Sequence, residues 1–138
     1  MKLRKSTRYA LCAALELARA GPDEAVTATR VADLYGVPGS VVAKVFQQLV
    51  RAGLAAGTRG QHGGYRLARG AASVTMLDVI DGLEPRRSSG ESEGPVLPKG
   101  ARRLQQVLDE VDELERCTFA SISLSTLARR AGLDGPPA

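Results

Sequence analysis

The stretch Gly60-Gln61-His62-Gly63-Gly64-Tyr65-Arg66-Leu67 decides the fold class of this 138-residue chain. Three glycines within five positions disfavour a helix, and they permit a tight reversal with left-handed backbone angles. Arg59 precedes the reversal and Arg66 follows it, so each side of the turn carries a permanent positive charge. The stretch predicts a short, basic β-hairpin with strands at residues 54–58 and 65–68.

A helix–turn–helix pattern lies directly before this hairpin. A first helix is predicted over residues 6–20, and Thr27 is placed to cap a second helix that ends at Gly36. Residues 36–40 form a turn signal, and Ser40 is expected to cap a third helix that runs to about residue 52. The apolar positions of that helix follow the spacing i, i+3, i+4, i+7 and are Val42, Val45, Phe46 and Leu49. A helix–turn–helix followed by a basic hairpin is typical of a winged-helix domain.

The polar face of the third helix carries side chains that can bind bases and phosphates. Steps of four, three and four residues place on one stripe Ser40, Lys44, Gln47 and Arg51. The second helix of such a pair enters the major groove of DNA through its N-terminal residues, so Val41 is also predicted to face the groove. Taken alone, this helix is equally consistent with an ordinary solvated face.

The hairpin supplies a second predicted DNA-contacting element. Arg59 at its tip is suited to a minor groove, where A·T tracts concentrate negative potential. The complete set predicted to contact double-stranded DNA also includes the N-terminal arm and the cap of the second helix. It comprises Lys2, Arg4, Thr27, Ser40, Val41, Lys44, Gln47, Arg59, Gly60, His62, Gly64, Tyr65 and Arg66.

The charge distribution agrees with this placement. Residues 1–69 hold 11 Lys and Arg against four acidic residues, a net charge of +7, whereas residues 70–138 hold eight against 11, a net charge of −3. A basic half next to an acidic half is expected when the first faces phosphate and the second faces protein or solvent. Aromatic residues are only 4% of the chain, which disfavours recognition of single strands or RNA by base stacking.

The sequence argues against several other classes of protein. The single histidine, His62, has no Ser, Cys or Asp partner at catalytic spacing, so an enzyme is not expected. Cys12 and Cys117 are 105 positions apart, which predicts neither a disulfide framework nor a metal site. No apolar run approaches the ~20 residues of a membrane span, and no signal peptide is apparent. A cytoplasmic protein without contact to a membrane is expected.

The C-terminal half is predicted to contain the helix through which two subunits associate. A fourth helix over residues 75–83 closes a DNA-binding domain at 1–84, and 85–100 is predicted to be a flexible loop. The next helix, 101–116, has a narrow apolar stripe close to coiled-coil spacing: Leu104, Val107, Leu108, Val111 and Leu114. It packs either on its own domain or on a second subunit, and its position after a loop favours a homodimer. A last short helix is predicted at 122–131, so that 101–132 holds the dimerisation helix and a C-terminal helix, and 133–138 is expected to be a disordered tail. The expected fold class is mostly α with a small β-hairpin: a winged helix-turn-helix domain plus a long dimerisation helix.

Several motifs are similar to those of one bacterial family. They are Met1-Lys2-Leu3, Tyr9-Ala10-Leu11, Val31-Ala32-Asp33, Val37-Pro38, Leu49-Val50-Arg51-Ala52-Gly53-Leu54, Arg59-Gly60, Gly63-Gly64-Tyr65-Arg66-Leu67-Ala68 and Leu77-Asp78-Val79-Ile80. Together they resemble the Rrf-type family of winged helix-turn-helix transcription regulators, from residue 1 to about 132, with the hairpin as the most specific part. The resemblance implies a homodimer held by the long helix, DNA binding through the third helix and hairpin, and control of promoters, usually by repression.

The resemblance also bears on a cofactor. Members of the family often hold an iron–sulfur cluster through three cysteines in the loop before the dimerisation helix. Residues 85–100 of this chain contain neither Cys nor His, so the usual ligands are absent and no cofactor is expected. A small-molecule or protein effector is left unidentified.

Two alternatives stay open for the signal and the partner. Cys12 and Cys117 are either buried apolar thiols or redox-active groups, as a thiol switch or as ligands of an unusual cluster shared across a dimer. The acidic long helix and the loop before it are alternatively the surface of a protein-interaction module that binds a metabolic enzyme.

Overall fold

The computed structural model describes residues 2–60, 63–84 and 98–130. Its helices are α1 (Lys5–Ala20), α2 (Ala28–Tyr35), α3 (Gly39–Arg51), α4 (Met76–Leu83), α5 (Lys99–Ala120) and α6 (Leu124–Arg130). Strands β1 (Ala55–Thr58) and β2 (Gly64–Leu67) form one antiparallel hairpin, and a 3-10 turn covers Ala71–Ser73. The fold class predicted from the sequence is confirmed. Residues 85–97 of the predicted loop, residue 131 of the predicted last helix, the predicted tail at 133–138 and His62 lie outside the described residues.

The core forms where α1 crosses α3. Alanines on the inner face of α1 allow a close approach of the two helices, and α3 fills the space with the four apolar residues predicted for it: Val42, Val45, Phe46 and Leu49, each at most 2% exposed. Because these positions recur every three or four residues, burying them leaves the opposite face of α3 in solvent. Packing therefore fixes which face of α3 is available for binding.

The helix–turn–helix has one cap as predicted and one that differs. Thr27 accepts a hydrogen bond from the Arg30 backbone N–H at 3.1 Å and caps α2, which ends at Gly36 in the left-handed conformation. The prediction that Ser40 caps α3 is wrong, because α3 already begins at Gly39 after Pro38. The fixed backbone angle of proline suits that junction, so the Ser40 hydroxyl lies inside the first turn and stays exposed.

The long helix is longer than the sequence pattern indicated. α5 spans 22 residues, and it begins two residues before the predicted start and continues past residue 116. The apolar stripe lies on the exposed part of the helix, whereas the last turn includes half-buried Phe119. None of the helices in the described part of the chain is long and apolar enough to cross a membrane.

The chain returns to the domain after α5. The Met76 backbone N–H donates to the Ile122 carbonyl, and the Leu124 N–H donates to the Val74 carbonyl, both at 2.8 Å. Leu124 is fully buried in the same core as α1 and α3. The short helix α6 therefore packs on the winged-helix domain, while most of α5 projects from it.

Candidate nucleic-acid interface

The exposed face of α3 carries the predicted polar stripe. Ser40, Lys44, Gln47 and Arg51 are all exposed, and Val41 beside them is half-buried. None of these four side chains has a hydrogen bond or an ion pair to the residues that the structure describes. The face consequently presents uncommitted donors and acceptors, the groups that read base edges and phosphates.

The hairpin β1–β2 with its turn at 59–63, called the wing below, stands next to α3 in the chain. Its register pairs Ala55 with Leu67 and Thr58 with Gly64. The turn is closed by a 2.9 Å hydrogen bond from the Gly63 N–H to the Gly60 carbonyl, with Gly60 at φ +114°, where a side chain would be strained. Arg59 is exposed at this tip.

Tyr65 fixes the wing to the helix–turn–helix. Its ring stacks on Phe46 of α3 with centroids 4.3 Å apart and an interplanar angle of 6°. Its backbone exchanges two hydrogen bonds with Val26, at 2.8 and 2.9 Å, directly before the cap of α2. A Cβ at Gly64 would lie 2.7 Å from the Val26 carbonyl oxygen, so only glycine permits this approach. We interpret Tyr65 as a positioning residue, a role that its place in the sequence motif alone did not reveal.

Arg66 lies on the other face of the hairpin from Tyr65 and Leu67, because side chains alternate along a strand. It pairs across the ladder with Ala56, a small residue that leaves room beside the guanidinium. Its Nε is buried and has no hydrogen-bond partner among the described residues. A buried donor without a partner carries a desolvation cost.

The N-terminal arm is held by a carboxylate from the far end of the domain. Glu84 Oε1 accepts hydrogen bonds from the Arg4 backbone N–H at 2.6 Å and from the hydroxyl of fully buried Thr7 at 2.7 Å. The bond from Arg4, assisted by that from Thr7, lowers the pKa of Glu84. The side chains of Lys2 and Arg4 remain exposed beside this anchor.

The cations of α3 and the wing have no ion pairs within the described part of the chain. Four arginines elsewhere do face carboxylates, in the pairs Arg19–Glu16, Arg30–Glu24, Arg69–Asp78 and Arg116–Asp81. On α3 and the wing, Lys44, Arg51, Arg59 and Arg66 form no ion pair with any carboxylate of residues 2–60, 63–84 and 98–130. Their charge is therefore not neutralised within the described chain.

The apolar stripe of α5 is a second unpartnered surface. Its members are exposed by 60%, 41%, 48%, 46% and 68%, respectively, for Leu104, Val107, Leu108, Val111 and Leu114. Every residue from 102 to 114 is exposed. A contiguous apolar patch of this kind is typical of a surface that another protein covers.

The two cysteines occupy different environments. Cys12 on α1 is half-buried and borders a cavity of about 10 Å³, enough for about one water, lined also by Tyr9, Tyr35 and four valines. Burial, together with the nearby carboxylate of Glu16, raises the pKa of the Cys12 thiol. Cys117 on α5 is exposed. A raised pKa disfavours the reactive thiolate at Cys12.

A winged helix with an uncompensated basic face on its third helix and wing defines the class of DNA-binding regulators. The sequence profile of the Rrf2 family, described as an iron-dependent transcriptional regulator, matches residues 3–130. The chain belongs to this family. It is a DNA-binding transcription regulator and not an enzyme.

Individual relatives agree with this assignment. The HTH-type transcriptional regulator BadM of Rhodopseudomonas palustris is 38% identical over 134 residues, covering 94% of this chain and 82% of that protein. The structure of CymR, the global cysteine regulator of B. subtilis, matches with a TM-score of 0.68 at 25% identity, covering 94% and 98% of the two chains. T. potens IscR matches with a TM-score of 0.78 at 24% identity, covering 95% and 88%, which shows the shared fold.

The family description implies iron, but a single chain does not supply the four-ligand set of an iron–sulfur cluster. Such a cluster requires four ligands, most often cysteines. The chain has two cysteines and one histidine, and Cys12 lies against an apolar cavity of α1 while Cys117 is on α5. No group of three or more His, Cys, Asp or Glu side chains in the described residues could hold a metal ion.

Proposed function

We propose that the protein is a sequence-specific transcription regulator, acting as a repressor, that binds a dyad operator as a homodimer. The observation that carries this proposal is a group of cations on two neighbouring elements, α3 and the wing, none of which forms an ion pair with a carboxylate of the described residues: Lys44, Arg51, Arg59 and Arg66. A cation that is not neutralised internally gains most from a phosphate, because binding releases condensed counterions from DNA. Repression is the mode of control that the family resemblance implies.

In this proposal, α3 enters the major groove. Ser40, Val41 and Lys44 lie at its N-terminal half, the part of a recognition helix that contacts base edges, and Gln47 lies one turn further. Thr27 at the start of α2 uses its oxygen as a cap, but its hydroxyl proton remains free to donate to a phosphate.

The wing enters the adjacent minor groove. Arg59 is its exposed tip, and Gly60, with φ +114° and open space around it, leaves the backbone uncovered where it approaches DNA. Stacking of Tyr65 on Phe46 fixes the distance from this tip to α3, so the two elements dock as one rigid unit. The Lys2–Arg4 arm adds phosphate contacts in the same proposal.

The homodimer forms through the apolar stripe of α5, and the charges on this helix favour an antiparallel pair. The first turns carry Lys99, Arg102 and Arg103, while acidic residues dominate from Asp109 to Glu115. Basic residues in a first turn oppose the helix macrodipole, so intrahelical electrostatics does not explain their position. In an antiparallel pair each basic end faces the acidic segment of the other copy.

We assign no iron–sulfur cluster to this regulator. We place it in the cytoplasm, where the DNA that it binds is located. The buried position of Cys12 gives no support to a thiol switch at that residue. The unpaired cations favour DNA over a metabolic enzyme as the main partner of the basic half.

The test begins with selection of bound sequences from a random duplex library, and enrichment of a dyad-symmetric motif is expected. The salt dependence of affinity for that motif is then measured for Lys44→Ala and Arg59→Ala. Each substitution should lower the log–log slope by about 1.8, because a dimer loses two phosphate contacts of about 0.9 each. The Arg59 variant should also lose preference for A·T-rich flanks, and the double variant should not bind specifically.

Arg129→Ala is the matched control, because it removes one exposed cation on α6, away from α3 and the wing. It should leave the slope and the affinity near wild type. Wild-type affinity in the Lys44/Arg59 double variant, or equal losses in the control, would exclude the docking geometry.

A further inference from the structure

In the described part of the chain, the hydrogen bonds that join the long helix α5 and the segment after it to the winged-helix body lie near the C-terminal end of the helix. Residues 102–114 are all exposed, whereas Glu115, Arg116 and Phe119 are half-buried. One attachment is the backbone pairing of the segment after the helix, from Met76 to Ile122 and from Leu124 to Val74. α5 thus has the geometry of a lever, and its exposed arm, residues 102–114, carries the apolar stripe.

The second attachment is a bidentate salt bridge between α5 and α4. Both terminal nitrogens of the Arg116 guanidinium donate to the two carboxylate oxygens of Asp81, each at 3.0 Å. The Arg116 side chain is only 15% exposed and that of Asp81 40%. Paired parallel hydrogen bonds from a planar guanidinium restrain orientation as well as distance.

Two attachment points along a helix define its direction, whereas a single attachment point would allow the helix to pivot. The backbone bonds at residues 122–124 fix where the chain after α5 meets the body, but they act at a single point. Arg116 lies four residues before the end of α5 at Ala120, about 6 Å along the helix. Half-buried Phe119 adds an apolar contact between them, but apolar contact is not directional.

Asp81 connects the lever to the part of the molecule that binds DNA. It lies on α4, whose Val79, Ile80 and Leu83 are buried in the body. α4 also packs against α3, so an orientation fixed at Asp81 is fixed relative to the recognition helix.

We propose that the Asp81–Arg116 pair sets the tilt of α5 against the DNA-binding body and thereby the separation of the two half-sites that the dimer reads. The inference rests on the proposed homodimer and specifies what determines its operator geometry. From Arg116 to Lys99 the arm is about 25 Å long at a rise of about 1.5 Å per residue. A change in tilt of about 10° displaces its end by about 4 Å, more than the step of about 3.4 Å between base pairs.

The experiment measures affinity for duplexes that carry two inverted copies of the selected half-site with a spacer varied one base pair at a time. Full-length wild type should show one preferred spacer. Asp81→Asn removes the negative charge and Arg116→Lys the bidentate geometry of the salt bridge, and both keep a side chain of similar size. Each variant should lower the ratio of the affinities for the preferred and the other spacers by about threefold or more. Affinity for a single half-site should stay at the wild-type value, a result that general destabilisation would not give.

Two further variants sharpen the test. Asp23→Asn removes an exposed carboxylate far from the pair in the chain and should keep the wild-type spacer profile. Exchange of the charges, Asp81→Arg with Arg116→Asp, should restore part of the preference that either single reversal loses. Thermal unfolding of each variant verifies that the domain is folded.

The experiment distinguishes a failure of the proposed role of the Asp81–Arg116 pair from a failure of the proposed dyad operator. A clear wild-type optimum that Asp81→Asn and Arg116→Lys leave unchanged would overturn the role of the ion pair and leave the dimeric regulator intact. A wild-type protein that binds every spacer and a lone half-site equally would overturn the dyad operator, and the role of the pair with it.

Discussion

Replacement of Leu108 by Glu should convert the dimer to monomers. Leu108 is the middle member of the apolar stripe, and 48% of it is exposed in the single chain. In an antiparallel pair the middle of the stripe lies near the two-fold axis, so the two introduced carboxylates would approach each other. The substitution touches a segment that is exposed throughout, so the fold of each chain should be unaffected.

The expected loss of dimerisation free energy follows from the area of Leu108 that the dimer buries. Covering a whole leucine contributes about 1.5–3 kcal/mol, so the exposed half in each of two subunits gives about 1.5–3 kcal/mol per dimer. Desolvating two carboxylates at an apolar surface adds several kcal/mol more. A total of at least about 4 kcal/mol raises the dissociation constant of the dimer about 1000-fold.

Sedimentation velocity over a range of protein concentrations is the assay, with circular dichroism as the check of folding. Gln106→Glu is the matched control, because it adds the same charge to the opposite face of the same helix. It should dimerise like wild type. The reasoning is refuted if Leu108→Glu retains the wild-type dissociation constant, since the subunits would then have to meet elsewhere.

The remaining predictions concern the interior contacts. Glu84→Gln should lower the free energy of unfolding at pH 7. The pKa of Glu84 is lowered in the folded state, so its stabilisation is present above about pH 4.3 and is lost as the pH falls through the folded-state pKa. Urea unfolding should therefore show a difference in the free energy of unfolding between variant and wild type at pH 7 that becomes smaller at pH 3. A difference that stays constant would contradict this role of Glu84. Tyr65→Leu removes the stack on Phe46 and should destabilise by about 1–2 kcal/mol and weaken operator binding, whereas Tyr65→Phe should preserve both; equal damage by the two variants would argue against stacking. In the folded protein a thiol reagent should react quickly with Cys117 and slowly with Cys12, whose pKa is raised, and a fast phase that persists in Cys117→Ser would refute this assignment.

The sequence determined those features that depend on neighbours along the chain. The spacing of Val42, Val45, Phe46 and Leu49 fixes the buried face of α3 and therefore its exposed polar stripe, because helical periodicity relates the two. The glycines of the hairpin predict the reversal, since their backbone freedom is local. Likewise the stripe of α5 is recognisable from its repeat alone, and the family resemblance could be stated from short motifs.

Only the tertiary structure decided how these elements are held against one another. Thr7 meets Glu84 across 77 positions, Arg116 meets Asp81 across 35, and Tyr65 bonds to Val26 from a separate part of the chain. Each of these residues is individually unremarkable in sequence: a threonine suited to a helix cap, or an acid on an amphipathic helix. Periodicity assigns such residues to a face, but their partners depend on the angles at which helices pack, and those angles are set by the shape of the whole core.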